Sequence, residues 1–270
     1  MNKEQIISAI KNSKKYAGIS EKIIRKEVES FVKANPRYVE YKEKFILKQI
    51  KEKLHKMYGS FQTYKKGKIK KMLEELKSGR DNRIIREILG TNLSTKERLA
   101  DYGLVYGKIF EITGKVDGIL DLGCGLNPIS YPYMELDKDA KYYAYDINEK
   151  DLDMIREFFE IYAVNSHVEA VDLRRLEEIK KLAPADLCLM FKLIDPLEKN
   201  MRGHKYAEEM IKILSNKCKF IVVSFATRTL SGKKMNYPQR GWIERMLARI
   251  GLKYDSFQTS NEIFYIIKKT

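Results

Sequence analysis

Cysteine and histidine are scarce in this chain of 270 residues, three of each, and tryptophan occurs once. The cysteines, Cys124, Cys188 and Cys218, stand far apart, with no CxxC pair and no histidine placed to complete a ligand set. That excludes a disulfide-stapled scaffold and a zinc site and points to reduced thiols. His55, His167 and His204 are isolated, with no partner at metal-binding or catalytic spacing, so each reads as structural or exposed. No metal is expected. No apolar run approaches the length that spans a bilayer, and the opening Met-Asn-Lys-Glu-Gln lacks the pattern of a secretory signal, so a cytoplasmic protein with no membrane contact is expected. Internal repeats and low-complexity stretches are also missing. What is present is 44% hydrophobic residues, enough for a core in one large domain or two ordinary ones.

The net charge is +15 and its distribution is uneven. Residues 1–100 hold 26 Lys and Arg against 12 Asp and Glu, whereas residues 101–270 hold 26 against 25. Nearly all the surplus therefore sits in the first hundred residues. Such asymmetry points to a polyanion, most commonly nucleic acid, with solvated lysine-rich helices as the plain alternative.

Hydrophobic spacing makes that basic region all-α. Ile6, Ile7 and Ile10 form one helical face; Ile19, Ile23, Ile24, Val28, Phe31 and Val32 form a second, with Ser20 as N-cap and Asn35-Pro36 as its stop. A third helix runs from Tyr38 through Leu54 to about Tyr58-Gly59, and short helices follow near 69–76 and 81–89. Another is predicted from Ser94 through Phe110, capped by Ser94 or Thr95. From Val116 onward strands and helices alternate: strands near 117–122, 141–146, 167–171, 185–191 and 218–223, helices near 149–162, 174–181, 203–214 and 238–249. Such alternation implies a parallel sheet covered on both faces. Lys253–Gln258 and Glu262–Lys268, joined by Thr259-Ser-Asn261, read as a closing hairpin that adds one antiparallel strand. Trp242, with Ile243, Met246 and Leu247, belongs to a core-facing helix.

Asp121-Leu-Gly-Cys-Gly-Leu-Asn-Pro128 is the segment that carries most chemistry. It follows a buried-strand pattern, and two glycines on such a turn let backbone approach a ligand closely. The next strand closes in Asp146, an acid able to take both hydroxyls of a ribose. Pro128 stands where the dinucleotide fingerprint wants a third Gly or Ala. An Asp two residues before the first glycine is instead the habit of S-adenosylmethionine-dependent methyltransferases of Rossmann-like fold. Three more strand ends fit: Asp172-Leu173, where an acid and the next N–H can meet an adenine; Phe191-Lys-Leu-Ile-Asp-Pro-Leu-Glu198; and the basic loop Ser224-Phe-Ala-Thr-Arg-Thr-Leu-Ser-Gly-Lys-Lys234. Arg228 and Lys192 suit a phosphate or the O6/N7 edge of guanine, or else are surface residues paired with local acids. Tyr131 and Tyr133 are weaker candidates for stacking on a flipped base.

Ser13-Lys-Lys-Tyr16, Ser94-Thr-Lys-Glu-Arg-Leu99, Asp121–Pro128, Phe191-Lys-Leu193 with Leu197-Glu198, Ser224-Phe-Ala-Thr-Arg-Thr-Leu230 and Glu262–Lys269 stand in an order that resembles the aminoglycoside-resistance methyltransferases of 16S ribosomal RNA, which modify N7 of guanine 1405. The likeness runs from about residue 13 to the end. It departs at Ala226, where the family usually has proline. The resemblance implies a seven-stranded Rossmann-like methyltransferase domain, residues 94–270, preceded by a helical basic extension, residues 1–93, that docks on the small ribosomal subunit. It implies S-adenosylmethionine as donor, S-adenosylhomocysteine as product and a monomeric protein. Arg98 would reach the methionine carboxylate; Asp121, Gly123, Cys124, Gly125, Asn127 and Pro128 would line the donor with Phe191; Asp146 and Ile147 would hold the ribose, and Asp172 with Leu173 would frame the adenine. Lys192, Glu198 and Arg228 would engage the target nucleotide, while Lys14, Lys15, Arg25, Lys233 and Lys234 would contact RNA. Two other readings share these residues: a methyltransferase acting on another rRNA or tRNA base, and a ribosome-binding protein whose pocket has lost activity.

Overall fold

The computed structural model describes residues 1–13, 16–58, 66–198, 203–228 and 233–269. Five helices come first: α1 (Lys3–Lys11), α2 (Glu21–Ala34), α3 (Glu43–Tyr58), α4 (Lys66–Ser78) and α5 (Asn82–Leu89). Each turns its isoleucine-rich stripe inward, so Ile6, Ile10, Ile24, Val28, Ile46, Ile50, Leu73, Ile85 and Ile88 are sealed from solvent while the lysines stay on the outer faces. Asn2 and Gln5 close a reciprocal capping box at the start of α1. Ser20 stands at the expected N-cap of α2, but its side chain makes no cap bond there. A 3-10 turn at Tyr38–Glu40 precedes α3, so that helix starts later than its apolar spacing suggests.

The helix expected from Ser94 to Phe110 is two helices, α6 (Leu93–Arg98) and α7 (Tyr102–Thr113). The cap is Asn92, whose side chain accepts from Ser94 N at 2.9 Å, while Thr95 donates its hydroxyl to Leu89 O. The chain breaks after Arg98, where the Asp101 N–H closes a tight turn back onto Arg98 O.

Seven strands follow: β1 (Gly118–Leu122), β2 (Lys141–Asp146), β3 (Ser166–Ala170), β4 (Ala185–Phe191), β5 (Cys218–Ala226), β6 (Leu252–Gln258) and β7 (Glu262–Lys269). Their order is β3-β2-β1-β4-β5-β7-β6, with β7 antiparallel to both neighbours. The helices between them are α8 (Glu149–Tyr162), α9 (Leu176–Lys181), α10 (Ile194–Glu198), α11 (Lys205–Ser215) and α12 (Gly241–Arg249). α9 begins two residues later than expected because Arg174 and Arg175 lie in a turn that Asp172 organises. α10 and a 3-10 helix at Asn127–Tyr133 have no counterpart among the expected helices, since both are short and Pro128, Pro132 and Pro196 interrupt any helical spacing there.

Strand alternation sorts the sheet's side chains into two cores. Ile119, Tyr142, Ala144, Leu187, Leu189 and Phe264 join the helices of the extension and α8, whereas Leu120, Leu122, Cys188, Met190, Val223 and Tyr265 face α9–α12. The basic helices therefore share a continuous apolar cluster with one face of the sheet. No described helix is long and apolar enough to cross a membrane. Tyr131 packs edge-on against Tyr142 and Phe159, and Tyr133 stacks on Tyr102, so both rings contribute to packing beside the glycine turn.

Phe264 is fully buried, stacked on Phe257 at 4.8 Å and edge-on to Phe191 at 5.6 Å. Phe264→Ala is expected to cost about 3–5 kcal/mol, read as a lower denaturant midpoint at unchanged slope. A loss under about 1 kcal/mol would contradict this packing.

Candidate active site

The order of strands reverses between β1 and β4, and the crevice beyond their carboxyl ends is where an open α/β sheet binds its ligand. The glycine turn leaves β1 there. Gly123 and Gly125 both adopt left-handed backbone, φ +62° and +50°. A Cβ on Gly123 would stand 2.5 Å from Leu193 Cδ1, while the space beside Gly125 is open. The turn is fastened to the end of β2: Gly123 N and Cys124 N donate to Tyr145 O, and Gly125 N donates to Asp146 Oδ2 at 2.9 Å. The other oxygen of Asp146 accepts from Asn148 N at 2.9 Å. Burial pushes the Asp146 carboxyl up, and the N–H groups of Asn148, Gly125 and Ile147 oppose that rise. A carboxylate offers about four acceptor sites, so both oxygens keep capacity for ribose hydroxyls. Next to it Asn148 Oδ1 is buried with no hydrogen-bond partner among the described residues. An open glycine, a partly exposed acid and an orphaned amide oxygen fit the nucleoside end of a donor such as S-adenosylmethionine.

Below the turn lies a buried polar network. Arg98 and Glu262 are 2% and 1% exposed, and the guanidinium meets the carboxylate twice, Nε at 3.0 Å and Nη2 at 2.9 Å from Oε1. Arg98 Nη1 donates to Asn127 Oδ1 at 3.0 Å, and Asn127 Nδ2 donates to Asp121 Oδ2 at 2.9 Å. Tyr142 OH donates to the same Asp121 oxygen at 2.7 Å. Burial pushes the Asp121 carboxyl up to about 6, against the pull of Asn127, Tyr142 and Arg98. The Phe191 ring lies under the Arg98 guanidinium, 4.6 Å from its centroid. Lys192 joins from the end of β4, with Nζ 3.1 Å from Glu262 Oε1 and a second ion pair to Glu97. Its backbone is left-handed, φ +54°, held by Ser224, whose carbonyl and hydroxyl both accept from Lys192 N. A non-glycine residue kept in that region is strained, and such strain gathers at functional sites.

Most of the residues singled out from sequence thus converge on this crevice, with roles divided. Asp121, Asn127 and Arg98 bind one another, Pro128 opens the 3-10 helix, and Cys124 is buried with its thiol pushed well up by burial. Asp172 and Leu173 are buried beyond β3, where Arg174 and Arg175 hold the Asp172 carboxylate. Glu198 is buried at the end of α10, accepting from Ala207 N at 2.8 Å and lying 2.6 Å from His204 Nδ1. His204 is therefore not isolated; its ring also stacks on Trp242 at 3.8 Å. Trp242 is only half-buried, because it covers His204 on one side and Phe225 on another. Arg228 and Lys234 face each other in a short antiparallel bridge, and Lys233 is exposed beside them. Arg25 pairs with Glu4 and Glu21 on the outer surface of the extension. Lys14, Lys15 and the side chain of His55 lie outside the described residues. Sequence reasoning missed Glu262, Glu97, Glu27 and Asn148. Glu262 left a trace as an acid opening the otherwise apolar run Glu262–Ile267, and Glu97 as part of Ser94-Thr-Lys-Glu-Arg-Leu99.

Burial alone would raise the Glu262 pKa, but Arg98 and Lys192 outweigh it and hold the carboxyl below its usual value of 4.5. A depressed folded-state pKa stabilises the protein above the unfolded value and loses that contribution as pH falls through the folded one. Glu262→Gln is expected to lower stability by about 3–5 kcal/mol at neutral pH, because it leaves the buried Arg98 guanidinium without its ion-pair partner. It is also expected to flatten the fall in melting temperature below pH 4.5. An acid profile unchanged by the substitution would contradict the pairing.

Residues 12–266 match the family described as ribosomal RNA methyltransferase (FmrO). A 16S rRNA (guanine(1405)-N(7))-methyltransferase of Micromonospora rosea is 28% identical over 279 aligned positions, which take in 98% of this chain and 96% of that protein. The enzyme of the same description from Proteus mirabilis is 27% identical, with 82% of this chain and 83% of that protein aligned. Among solved structures, the 16S rRNA methyltransferase RmtF in complex with S-adenosyl-L-homocysteine superposes with a TM-score of 0.77 at 26% identity, covering 100% of both chains. The 16S rRNA methylase RmtB gives 0.76 at 25% identity, covering 100% of this chain and 99% of that one. With residues 12–266 matched by the family model and the fold shared along nearly the whole length, the chain belongs to the FmrO family of ribosomal RNA methyltransferases.

Proposed function

We propose that this protein transfers the methyl group of S-adenosylmethionine to N7 of guanine 1405 in 16S rRNA, acting on the small ribosomal subunit as a monomer and thereby protecting it from aminoglycosides. The observation that carries this reading is the end-to-end similarity to enzymes of that description, together with a crevice whose residues suit the donor. S-adenosylmethionine supplies an electrophilic methyl on a sulfonium. Guanine N7 has a lone pair in the plane of the ring, so no residue of the chain has to remove a proton from it. The work left to the protein is to position the base and to balance charge. Asp146 and Ile147 hold the ribose, and Asp172 and Leu173 border the adenine. Lys192 and Arg228 hold the target's phosphate or O6. Glu198 takes the amino edge of guanine or offsets the positive charge of the methylated ring. Glu198 already accepts from Ala207 N and sits against His204, so the chain holds this carboxylate ready in one orientation.

The base must leave its stack to be reached, at a cost of a few kcal/mol. The extension, residues 1–93, offsets that cost through phosphate contacts, with Lys14, Lys15, Arg25, Lys233 and Lys234 as the RNA-contacting residues. The half-exposed, surface-paired state of Arg25 suits an exchange of Glu4 for a phosphate.

Small subunits treated with the protein and S-adenosylmethionine are expected to show cleavage at guanine 1405 after reduction and aniline treatment. The scission is mapped by primer extension. No cleavage at that position, with a mark elsewhere, would overturn the choice of base; no mark anywhere would overturn the enzymatic reading. Asp146→Ala is expected to weaken S-adenosylhomocysteine binding by roughly 10- to 100-fold, since hydrogen bonds to a charged acceptor are worth about 1.5–3 kcal/mol. Calorimetry checks this, and unchanged affinity would remove the ribose role.

A further inference from the structure

The basic extension touches the crevice at two points. Between α1 and α2, Ile19 pairs with Asn148 in an antiparallel bridge, Ser20 N donates to Ile147 O at 3.3 Å, and Glu149 N donates to Gly18 O at 2.9 Å. This fastens the turn that follows Asp146. Seven residues on from Ser20, two turns along the inner face of α2, stands Glu27, which is 5% exposed. Its Oε1 accepts from Arg174 Nη2 at 2.8 Å and from Arg175 Nη2 at 3.3 Å. The same two guanidiniums hold Asp172: Arg174 Nε lies 2.9 Å from Oδ1 and Nη2 2.8 Å from Oδ2, and Arg175 Nε lies 3.2 Å from Oδ2.

Two buried carboxylates and two partly exposed guanidiniums make this cluster neutral. Removing the Glu27 charge leaves both cations to a single acid, and they then compete for its four acceptor sites. Burial would raise the Asp172 pKa; the arginines overcome it and keep the group ionised. Arg174 N also donates to Oδ1 at 3.1 Å, so all four acceptor sites of Asp172 are taken; its direction, and the release of one site to a ligand, thus depend on how the arginines are shared with the extension.

We infer that Glu27 is a positioning residue for the donor site: acting through Arg174 and Arg175, it sets the Asp172 carboxylate at the adenine end, so that the RNA-docking extension also completes the cofactor pocket. The inference rests on the reading of the crevice as an S-adenosylmethionine site. Lys26, the neighbouring residue on α2, provides the control. It pairs with Glu178 at 2.9 Å and so helps dock the same helix through an acid other than Asp172.

The test is calorimetric titration of the full chain with S-adenosylhomocysteine. Glu27→Gln, which keeps the acceptor oxygen but not the charge, is expected to weaken binding about tenfold. Glu27→Asp is expected to restore part of the loss, and Lys26→Ala to bind within about twofold of the unmodified chain. Cofactor-free binding of Glu27→Gln to small subunits is expected to be unchanged. Glu27→Gln binding like the unmodified chain would overturn the inference, as would an equal loss in Lys26→Ala, which would assign the effect to helix docking in general. If the unmodified chain takes up no S-adenosylhomocysteine, the donor-site reading fails first and this inference with it; if it binds and only the Glu27 variants are silent, the donor site stands alone.

Discussion

Two opposite charges, both almost wholly removed from water, hold this protein's crevice together. Taking Arg98 and Glu262 out of solvent costs several kcal/mol for each ion, and only close contact with further hydrogen bonds can offset it. Both conditions are met: the guanidinium meets the carboxylate through Nε and Nη2, and Asn127 and Tyr102 accept from Nη1. The pair joins α6, 164 residues away in sequence, to the first residue of the antiparallel strand β7. Through Asn127 it continues to Asp121 at the end of β1, and through Glu262 to Lys192 at the end of β4. The two strands that flank the topological switch point are therefore tied below the ligand crevice by one polar web.

That web explains features that look separate. The turn after Arg98, closed by the Asp101 N–H on Arg98 O, ends α6 at the residue whose side chain enters the web. Lys192 can stay in left-handed backbone because Ser224 and the acids on either side of its ammonium fix it there. The antiparallel strand, which in many sheets would only cover an edge, here delivers a carboxylate that pairs with two cations. Arg98 is also the residue that resemblance assigns to the methionine carboxylate. Its nitrogens already have protein partners, so a ligand carboxylate would have to share them, in a site where the positive charge is fixed in advance.

The architecture was legible in the sequence because it rests on local periodicity. Isoleucine spacing marked the basic helices, and alternation of apolar runs with amphipathic segments marked the parallel sheet and its closing hairpin. The glycine turn, Asp146 and Asp172 were legible because ligands of such sheets gather at strand ends. What escaped depends on contacts between distant residues. Nothing in Ser94–Leu99 announces that its arginine will meet Glu262, so one long helix was the natural reading. His204 looked isolated because Glu198 and Trp242 reach it only after α10 and α12 are in place. Glu27 reads as one more solvated acid on a lysine-rich helix until the fold brings Arg174 and Arg175 against it.

The claim that the crevice is organised around the buried pair is tested most directly by a double-mutant cycle between Arg98 and Glu262. Arg98→Met, Glu262→Gln and the double variant would each be followed by denaturant unfolding and by S-adenosylhomocysteine titration. A coupling energy of roughly 1.5–3 kcal/mol in stability, with the double variant less damaged than the sum of the singles, is expected for contacting charges. Additive losses, within about 0.5 kcal/mol, would contradict it.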